Sequence, residues 1–204
     1  QFGIVFGNVG FMGFPVAQAL FGDDSLFYVA IFNLVFNILV FSVGIAMLTE
    51  DKMEGFDLRL LVNPGIAASI AGFLFFFGSV EIPSPFIDAI DLLGGLTTPL
   101  AMIVVGAMIA TFPALEMVGD WRIWVTSAIL LLAIPAAYFC LFSPVFTNPL
   151  INGVMITMAA MPAAANTAIF AEQYGADSRL ASQIVFVSTI GSLITIPLMT
   201  TLLI

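Results

Sequence analysis

Histidine is absent from the 204 residues, cysteine occurs once, and lysine and arginine together number four. Without histidine there is no imidazole for a zinc site or a Ser-His-Asp triad, and the lone Cys140 cannot build a disulfide framework. Charged residues make up 8% of the chain, where an ordinary globular domain carries roughly 25%. A soluble enzyme, a nucleic-acid binder and a disordered chain are excluded by that scarcity. The few charges give a net of −9, which repels nucleic acid and anionic lipid heads and offers no long-range attraction to an anionic solute. Any anion bound here must be held by local dipoles. What is abundant is apolar: 61% hydrophobic residues and a mean hydropathy of +1.17 mark an integral membrane protein. Gln1 opens directly into an apolar stretch with neither Met nor a signal-peptide leader, so the chain is expected to be a fragment whose beginning is missing.

A helix needs about 20 apolar residues to cross the hydrocarbon core. Uncharged stretches predict spans at about 2–20, 26–49, 60–79, 92–112, 123–142, 150–171 and 179–203. The run from 123 to 171 is too long for one crossing, and Ser143-Pro144 with Thr147-Asn148-Pro149 supplies the turn that divides it. Lys52, Arg59, Arg122 and Arg179 then all fall in loops on one face, and the opposite loops hold none. By the positive-inside rule that face is cytoplasmic, so residue 1 is expected inside and residue 204 outside. All acidic residues lie in loops or at helix ends, leaving no mid-span carboxylate for a proton or sodium relay. An intramembrane protease fails for want of a histidine or a buried acidic pair.

The first two spans and the last two share a layout. Gly22-Asp23-Asp24-Ser25 precedes one long apolar helix and Gly175-Ala176-Asp177-Ser178 another. The span before each is rich in helix breakers: Gly7, Asn8, Gly10, Gly13 and Pro15 in the first, Pro162 and Asn166 among small alanines in the sixth. Copies five spans apart cross in opposite directions, as an inverted repeat requires, and broken spans at matching positions point to a transport site. An unwound segment at the midplane must line a polar cavity, because its freed peptide groups cannot face lipid. The new half-helix N-termini, with asparagine amides, can then replace water around a carboxylate. The blander alternative is that Gly, Pro and small residues serve only close helix packing. Asn33 and Asn37, at i and i+4, and the stripe Ser188, Ser192 and Thr195 are expected to hydrogen-bond between helices or to border the cavity from behind. Thr98, beside Thr97 and Pro99, is a further candidate for that outer layer. The phenylalanines are expected to face lipid or packing partners.

The residues carry a resemblance. Phe6-Gly7-Asn8-Val9-Gly10-Phe11-Met12-Gly13-Phe14-Pro15 resembles the fourth helix of the auxin efflux carrier family. Ala160-Met161-Pro162-Ala163-Ala164-Ala165-Asn166-Thr167, running on to Asp177, is similar to its ninth, and Thr97-Thr98-Pro99-Leu100-Ala101-Met102 to its seventh. The likeness covers essentially the whole chain. It implies an all-α membrane protein with seven helices, four to ten, of a ten-helix carrier built as two inverted five-helix repeats with broken, crossing helices. Residues 1–49 would end the first repeat, 50–59 would be the cytoplasmic loop, and 60–204 the complete second repeat. The function implied is secondary transport of a small organic anion, such as a dicarboxylate, by alternating access of the elevator type. Substrate would be held by Asn8, Gly10, Pro15, Pro162, Asn166 and Thr167. No cofactor or metal is implied; the partners are substrate, the lipid bilayer of a bacterial cytoplasmic membrane, and, left open, a second copy in a homodimer. Proline at the place of Gly7, common in plant members, is missing, which favours a bacterial-type relative. A carrier of the bile acid and sodium symporter type and a non-transporting receptor are the alternatives. The first wants acidic sodium ligands that the spans do not offer, and a seven-helix receptor would begin outside.

Overall fold

The computed structural model describes residues 1–48, 64–96 and 119–203, together with 99, 100, 103 and 107. Among the described residues every regular element is a helix. They are α1 (Phe2–Val5), α2 (Val9–Phe21), α3 (residues 24–48), α4 (Pro64–Phe77), α5 (Ser84–Gly95), α6 (Trp121–Phe142), α7 (Pro149–Ala159), α8 (Asn166–Gln173) and α9 (Ser178–Leu203). Two of them, α6 and α9, are long and apolar enough by themselves to cross a membrane, and α2, the Asp24–Leu39 part of α3, and α7 are shorter apolar helices. Where a span was expected to start near residue 92, helix α5 already begins at Ser84. Lys52, Arg59 and Thr98 lie outside the described residues.

Both spans rich in breakers are interrupted. The first stops after Val5 and resumes at Val9; the sixth stops after Ala159 and resumes at Asn166. At the second break the cause is plain, because Pro162 has no N–H to offer the helical ladder and its ring crowds the carbonyl one turn back. Pro15 behaves differently, which corrects the expectation that it interrupts its span. The helix Phe14–Phe21 runs through it, and the preceding turn, Val9–Gly13, widens into π-helix. The same arrangement recurs in α6, where π-helical Ile129–Ala133 precedes Pro135 at the same interval. A wider turn moves the carbonyl away from the proline ring, so the strain is absorbed without a break.

Loop chemistry sets the remaining boundaries. The Asn148 side chain accepts hydrogen bonds from the N–H of Leu150 (2.9 Å) and Ile151 (3.4 Å), starting α7 where Pro149 already has the φ a helix needs. Gly22 and Gly175, at equivalent places in the two Gly-x-Asp-Ser segments, both adopt left-handed backbone, with φ of 76° and 73°. Packing is built from small clusters. Val9 and Ala17 of α2 meet Val29 of α3 and Val154 and Met158 of α7. On the other side, Ala163 in the second break packs against Leu130 of α6 and Val185 of α9. The breaks are thus clasped between α3 and α7 on one flank and α6 and α9 on the other.

Candidate functional site

The two breaks meet. Gly7 and Ala163 form an antiparallel bridge, in which the Asn8 N–H donates to the Pro162 carbonyl at 2.7 Å and the Ala164 N–H to the Phe6 carbonyl at 3.0 Å. The Ala163 N–H, pointing the other way, donates to the buried Ser188 hydroxyl at 3.1 Å. Each of these peptide groups would cost several kcal/mol if left unmade in hydrocarbon, so the crossing satisfies what the breaks expose. Close approach needs small residues. A Cβ on Gly7 would lie 3.3 Å from both the Cβ and the carbonyl oxygen of Met161, and Ala160, Ala163 and Ala165 beside it are buried.

Because α2 and α8 both begin at the crossing, two helix N-termini converge there, each with the partial positive charge of a helix start. Beside them opens a cavity of about 450 Å³ bordered by Gly7, Asn8, Gly10, Ala164, Ala165 and Asn166 of the crossing and by Asn33, Phe36, Asn37, Val40 and Phe41 of α3. None of its lining residues, among those described, carries a charge. Four are asparagines, and no described residue hydrogen-bonds to any of their four side-chain amides. Asn8 is 4% exposed, Asn33 and Asn37 are half-buried and Asn166 is open to the cavity side.

Of the residues singled out in the sequence, Asn8, Gly10 and Asn166 are brought together on this cavity, and Asn33 and Asn37 join them on its wall, with no hydrogen bond to another described helix. Pro162 is fully buried and contributes its carbonyl to the crossing. Thr167 is buried behind it, its hydroxyl without a partner among the described residues. Ser188 braces the break from behind through Ala163. Pro15 and Ser192 border a separate apolar groove between α2 and α9, where Ser192 donates to its own helix at the Thr189 carbonyl.

Sequence reasoning missed the aromatic lining. Phe2, Phe11, Phe14, Phe36, Phe41 and Phe170 all reach the cavity, which corrects their assignment to lipid and packing alone. Phe170 meets both Phe2 and Phe41 edge to face, with ring centroids 5.9 Å apart at 89° and 6.0 Å apart at 67°. A signal was present: Asn33, Phe36, Asn37, Val40 and Phe41 follow the i, i+3, i+4, i+7, i+8 spacing of one helix face. Two π-helical turns, Val9–Gly13 and Val40–Gly44, stand at the cavity on opposite walls.

The profile of a family described as "Membrane transport protein" matches residues 2–57 and 53–200. The chain belongs to this family, that of the auxin efflux carriers. Among curated relatives, an uncharacterized transporter of Methanocaldococcus jannaschii is 27% identical over 198 residues, covering 94% of this chain and 64% of its own length. A protein of Rhizobium meliloti named "Putative malonate transporter" is 26% identical over 200 residues, with coverage of 94% and 62%. An uncharacterized transporter of Methanothermobacter thermautotrophicus is 27% identical over 194 residues, with coverage of 94% and 63%. The chain therefore spans less than two thirds of the length of these relatives. Its family, together with the helical build of the described residues, makes it an integral membrane protein.

Proposed function

We propose that the protein carries a small organic anion, such as a dicarboxylate, across the membrane as a secondary transporter, with the crossing of the two breaks, where α2 and α8 begin, as its binding site. The observation that carries this reading is the set of four amides, unpartnered among the described residues, around a cavity of about 450 Å³ at two converging helix N-termini. In a low-dielectric wall such amides are costly unless something bonds to them. A carboxylate suits them: it is purely an acceptor, whereas peptide N–H groups and asparagine NH2 groups donate. The name of the Rhizobium meliloti relative is in keeping with a carboxylate.

Alternating access by an elevator movement completes the proposal. Residues 1–49 and 60–204 are read as parts of two inverted repeats joined by a cytoplasmic loop at 50–59, with seven spans, residue 1 inside and residue 204 outside a bacterial cytoplasmic membrane. The matching left-handed glycines at 22 and 175 support the repeat. The complete protein, reconstituted in vesicles, should exchange external labelled malonate for internal unlabelled malonate. Correctly folded protein that exchanges no member of a panel of mono- and dicarboxylates would overturn the reading.

A further inference from the structure

We infer that Asn33 and Asn37 form a second pole of the cavity, the one that recognises a second polar group on the substrate and so sets selectivity between di- and monocarboxylates. This rests on the transport reading above.

The two amides stand one helical turn apart on the same face of α3, opposite the crossing. Their neighbours on that face are Phe36, Val40 and Phe41, which would make a wholly apolar wall. Two amides in such a wall raise its cost, and among the described residues none offers them a hydrogen bond, so the compensating partner has to enter from the cavity. Gly10 keeps that space open. A Cβ there would already touch the Asn33 Oδ1 at 3.8 Å, so a larger side chain at this position would press on that amide and crowd the cavity beside it. A solute whose first carboxylate is gripped at the N-termini of α2 and α8 therefore turns its far end toward α3. Each amide there donates through nitrogen to a carboxylate and accepts through oxygen from a hydroxyl or a protonated acid. A pole built this way rejects an analogue that lacks the second group, because the amides are then left unpaired.

The experiment measures equilibrium binding of malonate and of acetate to the complete protein, which share the first carboxylate and differ in the second. Wild type should prefer malonate. Asn33→Leu and Asn37→Leu, similar in volume and at home in a membrane helix, should each weaken malonate binding about tenfold while acetate binding stays within about twofold. Equal losses for both ligands, or an undiminished preference for malonate in both variants, overturns the inference and leaves the transport reading standing. Should neither variant fold, wild type alone decides through monomethyl malonate, which masks the second carboxylate: binding as tight as malonate overturns the second pole, and binding weakened about tenfold supports it. Absence of any carboxylate binding to folded wild type would instead overturn the transport reading, and this inference with it.

Discussion

The Ser188 hydroxyl on α9 accepts the Ala163 N–H at 3.1 Å, fastening the second break to a helix that belongs to neither interrupted span. Both partners are fully buried. Ser188→Ala leaves that N–H without an acceptor and should destabilise the protein by about 1–3 kcal/mol, the usual cost of an orphaned buried donor. Thermal unfolding in detergent measures it, and an unchanged midpoint would show that the crossing is held by its two peptide hydrogen bonds alone.

Asn166 offers a contrasting case, since it is exposed and its side-chain amide has no partner among the described residues. Asn166→Ala should leave expression and unfolding within about 0.5 kcal/mol of wild type. Carboxylate binding should weaken about tenfold or more, as expected on losing one hydrogen bond to a charged group. Loss of the variant from the membrane would make the amide structural and remove it from the site.

Gly22 and Gly175 both have a positive φ, and among the described residues nothing lies within 4 Å of a Cβ built on either. Replacement by alanine is therefore penalised only by the positive φ, about 1–3 kcal/mol. Both variants should be destabilised within that range in unfolding experiments. A difference well beyond that range between them would show that the two turns carry different loads.

Asp120 caps α6 just outside its span, and its carboxyl is held below the ordinary value by hydrogen bonds from the Arg122 side chain and then from the Arg122 backbone N–H. A group whose folded pKa is depressed contributes stability that is fully present above its unfolded pKa and drains away as the pH falls through the folded value. Fraying at the start of α6 should thus begin only below about pH 3.8. Both tryptophans, Trp121 and Trp124, sit in that first turn and report it by fluorescence. Asn is as good a cap as Asp but does not titrate, so Asp120→Asn should abolish the acid transition; its persistence would assign the change elsewhere.

The broken spans were legible because their causes are local. Pro162 cannot join a ladder, and Gly7 with Asn8 weakens one, whatever surrounds them. The turn at 143–148 and the start of α7 were legible for the same reason, through Asn148 and Pro149. Pro15 misled because a proline may be accommodated by a π-helical turn, an outcome that depends on neighbours such as Gly13, against which Met158 packs. The cavity walls were harder still. Phenylalanine facing lipid and phenylalanine facing a cavity obey the same helical spacing, and only the tertiary placement of α3 against α2 decides between them. Thr167 and Ser188 look alike in sequence to wall residues, yet both lie behind the break, where the side of the chain is set by the bridge between Gly7 and Ala163.

That bridge joins main chain to main chain. A joint of this kind is indifferent to most of the side chains around it and asks only that its immediate surroundings stay slim. Selection is then free to redraw the walls of the chamber, amide by amide and ring by ring, without having to reinvent the hinge pin on which they hang.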